Sequence, residues 1–302
     1  MDVSKNILIT GGTGLLGTRL TKILQGLSKN VYHLSRAAKG EKSFTWDPAN
    51  QKMDADALKD ADTIIHLAGA NVGEKRWTEK RKEEILKSRT ESTRLLYDEL
   101  KNREHSVKHF ISASAIGYYG FDNEQKWYHE DSEAGTDFLA QVTRAWEQEV
   151  DRIEELGIRV VKIRIGIVLS DEGGALKEIA NPVKNFVGGP LGAGTQPVSW
   201  IHIDDVCGIF VKAVDDTSMR GAYNAVAPNP VNNRTLTKAI AQTLGRPMVM
   251  PPVPAFVLKL IIGQMAEIVV KGSKVSAKKV TAAGYQFKFP LVQDAVNDLL
   301  KK

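Results

Sequence analysis

The stretch Thr10-Gly-Gly-Thr-Gly-Leu-Leu-Gly17 constrains this chain more than any other. It lies between a short apolar run, Asn6-Ile-Leu-Ile-Thr10, and a segment from Leu15 to Leu27 in which Leu16, Leu20, Ile23, Leu24 and Leu27 recur at helical spacing. An apolar run ending in glycines reads as a buried strand, and the periodic segment reads as a helix. Gly11, Gly14 and Gly17 meet three demands at once: a positive-φ turn, close approach of backbone to a pyrophosphate, and tight packing of helix on strand. The helix N-terminus then offers free N–H groups and a favourable dipole to an anion. Strand before and helix after is the context such a glycine pattern requires. The loop residues Thr13, Leu15 and Leu16 join the glycines as candidate dinucleotide contacts.

A second strand, Val31-Tyr-His-Leu-Ser35, ends in Ser35-Arg36, about 18 residues past Gly17. An acid at this place would hold the ribose 2′-hydroxyl of NAD. An arginine suits a 2′-phosphate, which its fork of donors can grip. The expected cofactor is therefore NADP(H) in preference to NAD(H).

The same alternation runs on. Asp62 to Leu67, Val107 to Ser112, Val160 to Ile165 and Ile167 to Leu169 read as strands. Thr78 to Lys101 and Phe138 to Leu156 read as helices. Strands alternating with helices predict a parallel sheet covered on both faces, of the doubly wound α/β class, with ligands at the carboxyl edge. After residue 170 glycines and prolines cluster, from Gly173-Gly174 to Pro197, which predicts loop and lid material for a smaller lobe. Four prolines between Pro247 and Pro254 mark a further break. The expected organisation is a Rossmann-like domain over 1–250, with a substrate-side lobe interleaved mainly at 171–200 and 222–250, and a small C-terminal domain over 251–302.

Charge follows that organisation. Pro252 to Lys302 holds eight lysines, no arginine and three acids, whereas the other 251 residues hold 33 charges of each sign. The net +5 over 302 residues is mild and gives no reason to expect a nucleic-acid or membrane partner. One cysteine, Cys207, excludes an intramolecular disulfide framework and a cysteine-rich zinc site, and no His/Cys/Asp spacing fits a metal. The longest apolar stretch near the C-terminus, Phe256 to Val270, is broken by Lys259, Gly263-Gln264 and Glu267, too polar for a span. With no targeting segment visible, the cytosol is the expected compartment.

These motifs together resemble the extended short-chain dehydrogenase/reductase superfamily, within its atypical, sugar-nucleotide epimerase-like branch. The resemblance runs from the glycine loop through His66-Leu-Ala-Gly69, Arg76-Trp77-Thr78, Ser88-Arg89, Ser112-Ala-Ser-Ala-Ile-Gly-Tyr-Tyr-Gly120, Trp200-Ile-His-Ile-Asp-Asp205 and Tyr223-Asn-Ala-Val-Ala-Pro228 to Gly263-Gln-Met-Ala-Glu267 and Gly284-Tyr-Gln-Phe287. It implies a bound nicotinamide dinucleotide running past Leu67, Ala68 and Gly69. Glu84 and Arg89 of the following helix are further candidates to reach it, and Val168 is expected near the nicotinamide. Superfamily relatives are often dimers, which leaves a homodimer open.

The resemblance also implies where chemistry should sit. Relatives use a serine, a tyrosine as general acid/base, and a lysine four residues after it. Ser114 stands at the serine position, just past an expected strand end. Phe138 stands at the tyrosine position and Val142 at the lysine position, and neither can move a proton or carry a charge. Tyr118 and Tyr119 are the nearest replacement acids, with ring packing in the loop as their alternative role. Asp122, Glu130 and Asp131 follow in a polar loop that could face the cleft. Arg76-Trp77 and Trp200-Ile-His202 read as pocket walls, and Arg164 at a strand end suits either an anionic substrate group or a pairing acid. His66 and His202, on or beside apolar strands, suit satisfied core histidines. Two functions compete: an NADP(H)-dependent oxidoreductase or epimerase acting on a small polar, sugar-nucleotide-like substrate, and a non-catalytic NADPH-binding sensor, which would explain the missing tyrosine–lysine pair.

Overall fold

A computed structural model describes residues 5–38, 40–121, 126–248 and 250–301. Its core is one eight-stranded sheet. The strands are β1 (Asn6–Thr10), β2 (Asn30–Ser35), β3 (Ser43–Asp47), β4 (Lys52–Met53), β5 (Thr63–His66), β6 (His109–Ala115), β8 (Arg159–Ile165) and β12 (Gly221–Ala225), while β7 (Trp127–Tyr128), β9 (Ile167–Leu169), β10 (Pro197–Val198) and β11 (Trp200–His202) lie outside it. The order across the sheet is β12-β8-β6-β5-β1-β2-β3-β4. All pairings in it are parallel except β3 with β4. The order reverses at β1, so the crevice at the carboxyl ends of β1 and β5 is the switch point where such sheets bind ligands.

Helices α1 (Leu15–Gly26) and α5 (Ile203–Asp215) pack together, as do α2 (Glu79–Asn102) and α3 (Phe138–Asp151). Central strands covered on both faces must be apolar throughout, and Ile7, Leu8, Ile9, Ile64 and Ile65 are fully buried. The helix starts follow local chemistry. The Thr78 hydroxyl caps α2 by accepting from Arg81 N, and the Asp137 carboxylate caps α3 by accepting from Ala140 N. The segment after α3 tightens into a 3₁₀ turn over Arg152–Leu156 and stops at Gly157, whose φ of 76° suits glycine.

Two strands differ from expectation. β6 extends to Ala115, so Ser114 lies inside the strand, paired in register with Arg164 of β8. The small residues Ser-Ala-Ser-Ala fit a crowded central ladder without breaking it. β12 forms the sheet edge beside β8, so residues 222–225 belong to the sheet and not to the lobe.

The remainder is irregular. The helices α4 (Ala175–Lys184) and α6 (Asn233–Thr243) pack together, and β10 pairs with β13 (Val231–Asn232). Then come α7 (Ala255–Ile262), α8 (Glu267–Val270), β14 (Lys274–Val275), α9 (Lys278–Ala282) and α10 (Val292–Leu300). This C-terminal stretch is woven back into the rest of the chain. β14 pairs with β7, α10 packs on α6, and the Tyr285 hydroxyl lies 3.0 Å from Asp205 Oδ1.

Candidate functional site

The glycine loop is built as a cradle. Gly11 has φ of 69°, and a Cβ there would lie 3.0 Å from Ala68 N. A Cβ on Gly17 would lie 2.4 Å from Gly11 O and 2.6 Å from Gly12 Cα, an impossible approach. Gly14 precedes α1, which has no side-chain cap and no acid in its first turn, so its leading N–H groups stay available to an anion. Thr13 and Gly14 are exposed, with Leu15 and Leu16 half-buried beside them. Gly12, absent from the expected contacts, is required by His33, whose ring would lie 2.8 Å from an added Cβ.

Thr10 joins the loop to β5. Its hydroxyl meets His66 Nδ1 at 2.8 Å and accepts from Leu67 N and Ala68 N at 3.1 and 3.2 Å. His66 Nε2 lies 3.1 Å from Thr93 Oγ1, and burial, with the Arg89 charge adding to it, pushes the imidazole down to about 3. His66 is therefore a neutral core histidine that positions Leu67, Ala68 and Gly69 along the cleft. Ser35 closes β2 with its hydroxyl on the Ala37 backbone, and Arg36 is exposed and makes no ion pair among the described residues. Val168 lies on the far side of Gly174 from the loop: a Cβ on Gly174 would lie 3.5 Å from Leu15 Cδ2 and 4.0 Å from Val168 O.

Glu84 and Arg89 part company. Five residues turn a helix by about 140°, so the two cannot share a face. Glu84 is exposed and pairs with Arg81 at 2.7 Å, while Arg89 folds inward so that Nη1 donates to Ala70 O and Ile85 O at 3.1 and 3.0 Å. The structure brings Arg89 to the end of β5 and leaves Glu84 in a surface ion pair.

The expected chemical residues are mostly engaged with one another. Ser114 Oγ donates to Glu147 Oε1 at 2.5 Å. Arg164 grips the same carboxylate through Nε and Nη2, both at 2.8 Å, and its Nη1 donates to the Tyr119 hydroxyl at 3.0 Å. Tyr119 donates in turn to Asn224 Oδ1 at 2.7 Å. Burial pushes the Tyr119 phenol up to about 12, against the opposing pull of Arg164. Burial alone would raise the Glu147 carboxyl, but the hydrogen bonds and charge of Arg164 outweigh it and hold the group below its ordinary range. Arg164 thus pairs with an internal acid and is not an open anion grip. The acid at its centre, Glu147, was legible only as one member of the buried stripe Thr143, Glu147, Val150 on α3.

Tyr118 differs from its neighbour. It is half-buried, its ring lies 3.5 Å below the Arg164 guanidinium, and its hydroxyl bonds to no described residue. Trp77 meets Phe138 edge to face at 5.0 Å and donates to Val72 O. Arg76 donates to Leu260 O, tying this wall to α7 of the C-terminal stretch.

The other expected wall turns inward. Trp200 is fully buried and donates to Asn229 O at 3.1 Å. His202 is 1% exposed, stacks on Phe289 at 3.9 Å, and its Nδ1 accepts from Asp204 N as the cap of α5. Packing of the C-terminal residues onto β11 removes both from any cleft. Glu130 accepts from Asn224 N, Asp131 is exposed, and Asp122 lies outside the described residues. His129 lines an open hollow of about 710 Å³ with Trp127, Pro228 and Lys278. Cys207 is buried on α5, its thiol pushed up to about 12 by burial. Among the described residues no helix is long and apolar enough to cross a membrane, and no group of three His, Cys, Asp or Glu could hold a metal ion.

Residues 7–225 match the NAD dependent epimerase/dehydratase family, and residues 253–299 match a domain of unknown function, DUF1731. Epimerase family protein YfhF of Bacillus subtilis is 36% identical over 98% of this chain and 98% of its own length. The crystal structure of human epimerase family protein SDR39U1 with NADPH superposes at a TM-score of 0.88, with 31% identity over 98% of this chain and 99% of that one. A nucleoside-diphosphate sugar epimerase from Corynebacterium glutamicum gives 0.82 with 33% identity; it covers 98% of this chain, which spans 58% of that longer protein.

Proposed function

The chain belongs to the NAD dependent epimerase/dehydratase family, and from that premise we propose that it is an NADP(H)-dependent oxidoreductase or epimerase acting on a small polar substrate of the sugar-nucleotide class. One observation carries the cofactor choice. A cradle too tight for side chains leads to the uncapped start of α1, and Arg36, with no ion pair among the described residues, stands at the end of β2, where a 2′-phosphate is expected. That the human relative was solved with NADPH supports the same choice.

In this reading Gly11, Thr13, Gly14, Leu15, Leu16 and Gly17 hold the pyrophosphate, and Ser35 and Arg36 the adenosine end. Leu67, Ala68, Gly69 and Val168 line the course of the dinucleotide, whose chemistry when bound is hydride exchange. Tyr118 moves the proton, since Ser114 and Tyr119 already spend their hydroxyls on Glu147 and Asn224. Trp77 and Phe138 form an aromatic wall, with Arg76 at its edge.

A second reading, a non-catalytic NADPH-responsive protein, is favoured by the residues at the superfamily's tyrosine and lysine positions. Phe138 packs on Trp77 and Val142 is buried, so neither supplies a proton or a charge.

The test of the cofactor assignment is binding to Arg36→Ala. The dissociation constant for NADPH rises by about ten- to a hundredfold, the loss of one or two charge-assisted hydrogen bonds, while that for NADH stays nearly constant. Equal losses for the two nucleotides would remove the 2′-phosphate assignment. A substrate panel with NADPH then separates the readings: hydride transfer marks the enzyme, and tight binding without turnover marks the sensor.

A further inference from the structure

We propose that the open hollow beside β12 binds a free nucleotide, its base stacked on Trp127 and its phosphates held by Lys274 and Lys278. The inference goes beyond the NADP(H) reading and does not rest on it. The hollow, about 710 Å³, is lined by Trp127, His129, Pro228, Ser276, Lys278 and Thr281, with two alanines between them. Distant parts of the chain build it. β7 and β14 pair side by side, and α9 follows β14 and packs on β12. Its size lies within the range of small-molecule sites.

The aromatic wall supplies the first half of the recognition. Trp127 is 48% exposed, whereas Trp46, Trp146 and Trp200 are buried. Its ring makes no aromatic pair and its indole N–H bonds to no described residue. A large flat ring left bare in a concave site suits a partner that is also flat, and bases stack on indole whatever their hydrogen-bonding edges.

Charge supplies the second half. Lys278 is exposed and lines the hollow, and Lys274 stands opposite Trp127 in the β7–β14 register, its ammonium 6.0 Å from the ring centre. Neither pairs with a carboxylate among the described residues, unlike Lys271 with Glu267 and Lys212 with Asp216. No acid lines the hollow. Beside His129 in the chain, Glu130 spends Oε1 on Asn224 N, and Asp131 is exposed. The lysine surplus of residues 252–302 is thus partly gathered at one place. Lys279 donates to Ala222 O and lies 4.4 Å over the Tyr223 ring, which fastens α9 to the sheet edge and leaves Lys274 and Lys278 open. Cations around a concave wall focus a positive potential into it and select an anion. A plain anion would leave Trp127 bare and an apolar ring would leave the lysines unused; a base joined to phosphate uses both.

The site lies clear of the pyrophosphate cradle. β12 is four strands from β1, about 19 Å at the usual strand spacing.

The experiment titrates ADP calorimetrically into the full chain in the presence of excess NADPH, with adenosine and inorganic pyrophosphate as its two halves. The expected result is one ADP site, with each half bound about tenfold or more weakly. Trp127→Ala and the double variant Lys274→Gln/Lys278→Gln each raise the ADP dissociation constant about tenfold, and Trp127→Phe, which keeps a ring, raises it less. NADPH affinity stays unchanged in every variant, which also shows that the chain is folded. Absence of ADP binding beside NADPH, or ADP affinity that survives both Trp127→Ala and the lysine variant, overturns the inference and leaves the NADP(H) reading intact. Adenosine or pyrophosphate bound as tightly as ADP overturns it as well, and a single-stranded oligonucleotide bound more tightly than ADP overturns the assignment to a free nucleotide. Should NADPH itself fail to bind, the NADP(H) reading falls, while loss of ADP affinity in the hollow variants still supports this site.

Discussion

The two halves of the cleft satisfy their polar groups in opposite ways. Around β1, β2 and the exit of β5, donors stand without partners among the described residues: the first N–H groups of α1, the guanidinium of Arg36, and two nitrogens of Arg89. Around β6, β8 and α3, the polar side chains bond to each other, with Ser114, Glu147, Arg164, Tyr119 and Asn224 in one buried chain. Buried polar groups must be paired, so a region that leaves donors open is shaped for a ligand, and a region that closes its own network is shaped for stability. A catalytic role cannot be read from residue type alone when the neighbouring strand already holds the hydroxyl.

The sharpest way to break this contrast is at Tyr118, the one candidate hydroxyl outside the closed network. Tyr118→Phe lowers turnover by about 10²- to 10⁴-fold in a hydride-transfer assay and leaves NADPH affinity unchanged, if it moves the proton. Turnover that survives the substitution returns Tyr118 to ring packing beneath Arg164. Next comes Glu147→Gln, which strands Arg164 in the interior. Thermal or denaturant unfolding should register a loss of about 3–5 kcal/mol, with little loss indicating that the network is not the stabilising element drawn here.

Gly17→Ala acts on the open half. Its Cβ meets backbone, not a yielding side chain, so the loop must shift. Stability falls by about 1–3 kcal/mol and NADPH binding is lost together with it; retained affinity for NADPH would show that the loop is not the cradle.

The smallest effect is on pH. His66 is neutral in the folded protein with its value near 3, whereas an unfolded histidine protonates near 6.5. Between these values the unfolded chain binds the extra proton. The His66 contribution is thus intact above pH 6.5 and lost progressively below it, by at most about 1.4 kcal/mol per pH unit. The lowered Glu147 carboxyl acts in the same direction further down: its stabilisation is present above its unfolded value, near 4.5, and fades as pH falls through the folded value. Unfolding curves of wild type and His66→Asn should converge as pH drops from 7 to 5. Parallel curves would contradict a neutral buried imidazole.

Local pattern made the outline legible. An apolar run, a glycine triplet and a periodic segment dictate strand, tight turn and helix because each depends on neighbours a few residues away. Ser35 and Arg36 follow from the length of the second strand, and the neutral state of His66 from its place in an apolar run. Which way Ser114, Tyr119, Arg164, Trp200 and His202 face was not legible, for a common reason. Each meets partners distant in sequence, such as Tyr119 with Asn224 across 105 positions and His202 with Phe289. β3 and β12 were missed because short strands at a sheet's edge carry weak periodicity, with one face against neighbours that only the fold supplies.

The sequence by itself determined the doubly wound sheet, the dinucleotide cradle and the cation at the end of β2, because those are properties of backbone conformation and local spacing. Only the tertiary structure decided which polar side chains face the cleft and which face one another. That choice depends on the pairing of β6 with β8, on the packing of α3, and on the C-terminal residues closing over β11. Burial makes an unpaired charge or hydroxyl costly, and so the fold, not the residue type, determines which of them remain free to act.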